Sequence, residues 1–278
     1  MIIDAHSHVH DPVTSHLALL DDAGVDRTVL FATRPHPERA DDLDSLRREL
    51  AVLDRALAGA RNADQDPDQD AAHVAAQDAE RYRAAWDEFD EALAAHPDRF
   101  IGFGSVRLDL LDDEIAVAVQ EQVVDRGLRG IGELTPSPGA AGRLAPVLAA
   151  ADDHGGLPVV VHGFAPTTAE DLNTLARLAT EHPRVPLIVS QLGGLNWMEA
   201  IELAKATPNL YLELSTAYTV LAVKFAIHEL PERTLFGSDA PYGDPVVART
   251  MIERVTRPGE LRERVLGGTL EELLHRLP

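Results

Sequence analysis

His6 and His8 stand one residue apart near the start of the chain, directly after the apolar pair Ile2 and Ile3. In an extended strand the side chains of residues i and i+2 point to the same face, so both imidazoles can converge on one ion. Neutral imidazole is a ligand suited to zinc. Taken alone, such a pair is more often exposed or accidental than a metal site, so a metal site needs support from further ligands elsewhere in the chain.

Other polar side chains follow segments that are predicted to be strands. If these strands form an α/β barrel, functional residues gather at their carboxyl ends. Three histidines and one aspartate would supply three nitrogens and one oxygen to a metal ion and leave a coordination position open for water. These predicted ligands are His6, His8, His162 and Asp239. Zn2+ is the ion expected, and Mn2+ also suits nitrogen and oxygen ligands. The polar residues at the strand ends are His6, His8, Arg34, Arg107, Glu133, His162, Gln191, Ser215 and Asp239.

The elements that position these residues alternate regularly along the chain. Eight apolar strands, each followed by a helical segment, predict a parallel sheet closed into a (β/α)8 TIM barrel of the α/β class. No break in composition divides the chain, so we predict a single domain over residues 1–278. The predicted strands are Ile2–Ala5, Arg27–Ala32, Phe100–Leu108, Arg129–Leu134, Pro158–His162, Pro186–Gln191, Asn209–Ser215 and Thr234–Asp239.

A helical insertion is predicted after the second strand, over about residues 35–97. Leucines from Leu43 to Leu57 form a narrow apolar seam that packs either on the barrel or on a partner chain. A homo-oligomer is therefore one of two possibilities. The acidic segment Asn62–Asp70 has carboxylates at alternate positions. It lacks the glycine and glutamate that a calcium loop requires, and we interpret it as a solvated loop.

Bulk composition excludes several classes of function. The formal net charge of -21 disfavours nucleic acid and anionic membranes as partners, because both are polyanions. The chain has no cysteine, which excludes disulfides and thiolate metal sites. It has neither an apolar run of the ~20 residues that span a bilayer nor a basic leader at its start. We therefore expect a cytoplasmic protein with a small-molecule substrate.

Four motifs resemble those of the amidohydrolase superfamily, in its amidohydrolase-related branch of metal-dependent hydrolases and decarboxylases. The resemblance implies that Asp239 is both a metal ligand and the base that takes a proton from a metal-activated water. The motifs are Asp4–His8 on strand one, Val161–Gly163 on strand five, Ser190–Gly194 on strand six and Phe236–Tyr242 on strand eight.

One position departs from the family pattern. Strand six of the family ends in a histidine that binds a second metal or acts on water and substrate, and this chain has Gln191 there. Glutamine can orient a water molecule or offer a weak carbonyl ligand, but it cannot exchange a proton near neutral pH. Glu133 stands where some relatives have a carboxylate that bridges two metals. We expect one ion, with Glu133 as a ligand or as a partner of the bound water, and a second ion as the alternative.

Three functions follow as hypotheses. The first is hydrolysis of an amide, ester or lactone in a small metabolite. The second is decarboxylation with the same ligands, and the third is metal binding with little or no catalysis. Arg34 and Arg107 could hold a substrate carboxylate bidentately, although a surface ion pair explains either arginine equally well. Tyr242 is expected to shape the substrate pocket.

Overall fold

Eight parallel strands form the centre of the molecule and follow one another in sequence order. The computed structural model describes residues 1–32, 36–59 and 83–277, except for the side chains of residues 52–59. The first three strands pair in one sheet and the other five in a second. The strands are β1 Ile3–His8, β2 Arg27–Phe31, β3 Phe100–Phe103, β4 Ile131–Leu134, β5 Val159–Val161, β6 Leu187–Val189, β7 Leu210–Glu213 and β8 Thr234–Leu235.

Two isolated parallel bridges connect the two sheets. Ser7 of β1 bridges Ala240, which follows β8, and Gly104, which follows β3, bridges Ile131 of β4. The first strand thus lies beside the eighth, and the third lies beside the fourth. This circular order confirms the predicted (β/α)8 barrel.

Helices alternate with the strands, and local side chains cap several of them. Thr168 and Asp171 form a capping box at the start of α6, in which each side chain accepts a hydrogen bond from the other residue's backbone. Asp244 caps α9, which begins with a proline at its first position. The helices are α1 Val13–Asp22, α2 Leu43–Gly59, α3 over residues 83–95, α4 Asp112–Val119, α5 Ala145–Asp153, α6 Ala169–Glu181, α7 Trp197–Ala206, α8 Val220–Glu229, α9 Pro245–Val255, α10 Glu260–Glu263 and α11 Thr269–His275.

Shorter helical turns continue or precede several of these helices. Pro37–Arg39 and Ala141–Leu144 are 3-10 turns, and Gln120–Val124 is π-helical. Gln191–Asn196 and Arg264–Gly268 are irregular turns that contain residues with non-helical backbone angles. None of the helices in the described ranges is long and apolar enough to cross a membrane.

The last strand is shorter than predicted. Regular pairing of β8 ends at Leu235, whereas the apolar pattern predicts a strand to Asp239. Beyond it the backbone N and the hydroxyl of Ser238 donate to the Asp4 carboxylate, over 2.9 and 2.5 Å. Asp239 then takes a left-handed φ of 59°. Side-chain bonds across the top of the barrel thus replace the strand ladder at the site.

The barrel interior is apolar below the polar strand ends. Arg129, just before β4, donates to the carbonyl of Leu274 over 2.7 Å, so α11 covers the amino ends of the strands. The polar residues of the site lie at the opposite, carboxyl ends of the strands. The interior cluster consists of Ile3, Ala5, Val29, Phe31, Ile101, Phe103, Val160, Ile188, Tyr211, Leu235, Leu270 and Leu273.

The insertion after β2 is helical in its described parts. His36 lies between two carboxylates, with its ring nitrogens 2.9 Å from Glu38 and 2.9 Å from Glu88 of α3. Leu43, the first residue of the leucine seam, is exposed on this chain, so it does not pack on the barrel. Packing of the seam on a partner chain stays a prediction. Arg34 and the acidic loop Asn62–Asp70 lie outside the described residues.

Candidate metal centre

Three side chains meet at the carboxyl end of the barrel. His6 Nε2 lies 3.2 Å from His8 Nε2 and 3.5 Å from Asp239 Oδ1, and His8 Nε2 lies 3.3 Å from the same oxygen. All three residues are buried. Ligands 2.0–2.1 Å from a tetrahedral zinc ion are about 3.3 Å apart. The triangle therefore has the size of one face of a metal coordination sphere.

The local path of β1 brings both histidines to this point. Pairing of β1 with β2 shifts register between Asp4 and Ser7. Such a shift rotates the alternation of the strand by one residue, so His6 and His8 follow Ala5 onto the interior side. Both imidazoles contact the ring of Phe31, with ring centroids 5.2 and 5.8 Å away. The predicted shared face of His6 and His8 is confirmed.

The backbone fixes Asp239 against β1. Its amide donates to the carbonyl of His6 over 2.8 Å. Its φ of 59° lies in the left-handed region, which a residue other than glycine adopts only where its surroundings impose it. This turn aims the carboxylate at the two histidines.

The triangle fits a cation by its chemistry as well as by its size. Asp239 Oδ1 is buried and has no hydrogen-bond partner among the described residues. Burial alone would lower the pKa of His6, but the charges of Glu133 and Asp239 raise it to about 10. Burial would raise the pKa of Asp239, which the charges of His6 and His8 nevertheless hold below its usual value. The charged forms of His6 and Asp239 thus stabilise each other across the triangle.

Glu133 and His162 form a pair beside the triangle. Glu133 Oε1 lies 3.6 Å from His6 Nε2, and Oε2 lies 3.9 Å from His8 Nε2. His162 faces Glu133 with Nδ1 at 3.2 Å and the carbonyl of Ala165 with Nε2 at 3.2 Å. The structure thus brings three of the four predicted primary ligands together. His162 lies one carboxylate away from them, and its role as a ligand stays a prediction.

The charges of the pair depend on each other. Burial would raise the pKa of Glu133, but the charges of His162 and His6 hold it well below its usual range. Burial would lower the pKa of His162, and the charge of Glu133 raises it instead. Glu133 can therefore act as a ligand or accept a hydrogen bond at the edge of the centre.

Gln191 occupies the strand-six position and contacts both acidic groups. Its Nε2 donates to Glu133 Oε1 and to Asp239 Oδ2, each over 3.2 Å. Its Oε1 accepts from the backbone of Gly163 over 2.9 Å and from the hydroxyl of Ser190 over 2.7 Å. Every polar atom of the amide is thus engaged with protein groups. Gln191 orders the carboxylates around the centre.

Two buried carboxylates were not among the predicted site residues. Glu213 Oε2, at the end of β7, lies 3.0 Å from His6 Nδ1. Asp4 accepts from the backbone of His6 and from Ser238, and burial raises its pKa to about 7 despite these hydrogen bonds. An acidic residue inside an otherwise apolar strand, as in the segment Asn209–Ser215, is the signal that could have identified Glu213.

The predicted substrate-binding residues have different positions. Tyr242 follows β8 and packs edge-on against His8, with ring centroids 5.7 Å apart. It also lines a cavity of about 570 Å3 with His10 and Glu38, and none of the three triangle residues lines that cavity. Arg107 is 71% exposed and forms two hydrogen bonds with the carboxylate of Asp109. That geometry matches the alternative of a surface ion pair, and Arg34 lies outside the described residues.

A family model described as amidohydrolase matches residues 3–276. A search of curated protein sequences finds no match. Solved structures with the same fold exist, at low sequence identity. The structure of 2,6-dihydroxybenzoate decarboxylase from Rhizobium is 16% identical, with a TM-score of 0.64 over 99% of this chain and 98% of that chain.

Two further solved structures show the range of activities on this fold. A dihydroxybenzoic acid decarboxylase from Polaromonas sp. JS666, with bound manganese and the inhibitor 2-nitroresorcinol, is 16% identical, with a TM-score of 0.59 over 99% of this chain and 96% of that chain. A probable 2-pyrone-4,6-dicarboxylic acid hydrolase from Acinetobacter baumannii, with citric acid bound, is 13% identical, with a TM-score of 0.56 over 99% of both chains. The fold therefore occurs in both lyases and hydrolases.

Proposed function

Because the chain belongs to the amidohydrolase family, we propose that it is a divalent-metal-dependent hydrolase of a small molecule with an amide, ester or lactone bond. The observation that carries the proposal is the triangle of His6, His8 and Asp239, whose ligand atoms are 3.2–3.5 Å apart. A divalent ion held there would act as a Lewis acid toward the substrate carbonyl and toward water. Zinc and manganese both suit two imidazoles and a carboxylate.

Asp239 is the group proposed to accept the proton from the attacking water. Its Oδ2 accepts hydrogen bonds from Gln191 Nε2 over 3.2 Å and from the Thr216 hydroxyl over 3.0 Å. Two donors on one oxygen favour the ionised carboxylate. An ionised carboxylate at the centre accepts a proton, as hydrolysis requires.

Gln191 is proposed to position groups without exchanging protons. Its Nε2 donates one hydrogen bond to Glu133 and one to Asp239, each over 3.2 Å, and so lies between the two acidic groups. Asp239, the proposed base, is thereby separated from the pair formed by Glu133 and His162. Proton transfer then falls to Asp239, with His162, whose pKa the charge of Glu133 raises, as the neighbouring group that can also change protonation.

Decarboxylation is the second candidate, and the manganese-containing decarboxylase of the same fold is the observation that favours it. Loss of carbon dioxide leaves a carbanion that must receive a proton. Gln191 and Thr216 favour the ionised form of Asp239, which leaves His162, with its raised pKa, as the group suited to supply that proton. Hydrolysis starts from an ionised carboxylate, which these contacts support, and is therefore the first candidate.

A single experiment separates these activities. The zinc- or manganese-loaded protein is incubated in water enriched in oxygen-18 with a panel of lactones, esters, amides and aromatic acids. Hydrolysis places one labelled oxygen in the product, and decarboxylation releases carbon dioxide with an unlabelled organic product. Turnover by either route must disappear in Asp239→Asn. A loaded protein that turns over none of the panel would favour the third hypothesis, metal binding without catalysis.

The substrate is proposed to be a small molecule with a carboxylate of its own. Arg34 and Arg107 remain the proposed partners of that carboxylate, and Arg107 would exchange its contact with Asp109 for the substrate. Tyr242, in contact with His8, is proposed to border the bound substrate. Replacement of Arg107 by alanine tests this, because it should raise KM for an acidic substrate and leave KM for a neutral one unchanged.

A further inference from the structure

Glu213 collects four hydrogen-bond donors at the end of β7. The side chain is completely buried. Its Oε2 accepts from His6 Nδ1 over 3.0 Å, from the backbone N of Gln191 over 3.1 Å and from the hydroxyl of Ser215 over 2.7 Å. Its Oε1 accepts from the backbone N of Ser215. All these partners can donate, which is the environment of a carboxylate that only accepts.

This contact assigns the two nitrogens of the His6 ring. A carboxylate at Nδ1 requires that Nδ1 carry the ring proton in neutral imidazole. Nε2 is then the nitrogen with the free lone pair, and it is the one that faces His8 and Asp239, at 3.2 and 3.5 Å. Glu213 thus selects the tautomer in which His6 can bind a metal ion.

Gly237, two residues after the end of β8, provides the space that the Glu213 carboxylate occupies. A Cβ atom on Gly237 would lie 2.0 Å from Glu213 Oε1 and 2.5 Å from its carboxyl carbon. Any larger residue at position 237 would displace the carboxylate from His6. The absence of a side chain at position 237 therefore allows the segment after β8 to lie against the Glu213 carboxylate of β7.

Glu213 Oε2 also accepts a hydrogen bond from the backbone of Gln191, the residue at the strand-six position. Gln191 adopts a left-handed φ of 49°, a conformation that a residue with a Cβ keeps only where its surroundings fix it. The bond from its backbone N to Glu213 Oε2 is one such constraint. One carboxylate oxygen therefore links the metal-binding ring of His6 to the residue that orders Glu133 and Asp239.

We propose that Glu213 is a positioning residue that fixes the tautomer and orientation of His6 and thereby sets the affinity of the centre for its metal ion. The inference rests on the proposed metal centre. A carboxylate behind a ligating histidine raises the basicity of the ring, and its loss typically weakens metal binding by about 10–100-fold. The competing explanation is that Glu213 only anchors the turn at Ser215.

Zinc affinity of two matched variants separates these explanations. Glu213→Gln removes the charge behind His6. Ser215→Ala removes one donor to the same carboxylate and leaves the contact with His6 in place. By competition with a chromophoric chelator, Glu213→Gln should bind zinc at least about tenfold more weakly than the unchanged chain, and Ser215→Ala within about threefold of it. Equal affinity of Glu213→Gln and the unchanged chain would overturn the proposal.

Spectroscopy of the unchanged chain keeps the proposal testable if Glu213→Gln does not fold. In the zinc-loaded protein labelled with nitrogen-15, long-range correlations of the histidine rings should show the His6 proton on Nδ1, protected from exchange with water. A proton on Nε2, or an Nδ1 proton that exchanges freely, would contradict it. If the unchanged chain binds no zinc, the proposed function itself fails. If it binds zinc with the other nitrogen of His6, only this inference fails.

Discussion

Gln191 donates to Oδ2 of Asp239 over 3.2 Å, while Oδ1 of the same carboxylate has no hydrogen-bond partner in the described structure and faces His6 and His8. The two oxygens of Asp239 are thus assigned different roles by their surroundings. Oδ1 is available to a cation, and Oδ2 is held by protein donors. Gln191 at the strand-six position is therefore compatible with the convergence of His6, His8 and Asp239.

Asp239→Asn should lower kcat by at least about 100-fold, because an amide cannot accept the proton that a general base takes. The control is Thr216→Val, which removes one 3.0 Å hydrogen bond to Oδ2 and keeps the carboxylate. It should cost about tenfold, which corresponds to about 1.4 kcal/mol and lies near the lower end of the range for one lost hydrogen bond to a charged group. Steady-state kinetics with the substrate found in the oxygen-18 experiment measures both. Activity of Asp239→Asn close to that of the unchanged chain would refute its role as base.

Gln191→Glu should destabilise the metal-free protein. The substitution replaces the Nε2 donor with a second acceptor 3.2 Å from both Glu133 and Asp239, and buried like charges or unmade hydrogen bonds cost about 1–3 kcal/mol each. Urea unfolding at pH 8 measures the free energy of unfolding. The same substitution at the exposed Gln122 should change it by less than about 0.5 kcal/mol. Equal effects at the two positions would show that Gln191 orders neither carboxylate.

Zinc binding should release about one proton from His6 between pH 7 and pH 9. The pKa of His6 is raised to about 10 in the metal-free protein, so the ring is protonated in this range, and it must be neutral to bind zinc. Apparent zinc affinity should therefore increase with pH until about pH 10. Calorimetric titrations in two buffers with different ionisation enthalpies count the protons released. Identical heats in both buffers would contradict the prediction.

The same pKa predicts how the stability of the metal-free protein depends on pH. A histidine whose pKa is raised from 6.5 to about 10 by folding stabilises the protein fully below pH 6.5. That contribution declines as the pH rises toward 10, because the unfolded chain has already lost the proton. Denaturation of chelator-treated protein from pH 6 to pH 10 should show this decline, and His6→Gln should have a flatter profile over the same range.

Much of the fold could be predicted from the sequence, because each strand of a (β/α)8 barrel is a short apolar run between helices. The ends of β1 and β8 could not be predicted to the residue. The register shift in β1 and the left-handed turn at Asp239 depend on bonds such as that between Ser238 and Asp4, which join residues 234 positions apart. Periodicity within one segment contains no information about such long-range contacts.

For the site, residue types and spacing predicted four ligands, His6, His8, His162 and Asp239, of which the structure brings three together and places His162 3.2 Å from Glu133. They did not predict the surroundings of these residues. The contact between His6 and Glu213 depends on the glycine at position 237, which determines how closely two strands approach. The pairing of His162 with Glu133 depends on side-chain rotamers that neither spacing nor composition fixes. Glu213, an acidic residue at the end of the otherwise apolar β7, could be recognised as buried from the sequence, but its contact with His6 could not.

Metal titration of the chelator-treated protein decides whether His6, His8 and Asp239 bind a metal ion. The unchanged chain should bind one equivalent of zinc or manganese, and His8→Asn should reduce the affinity by at least about 100-fold because it removes one of three converging ligands. The exposed His228, replaced by asparagine, serves as the control and should have no effect. Uptake of less than a few tenths of an equivalent by the unchanged chain, or undiminished binding by His8→Asn, would show that these three residues are not a metal centre.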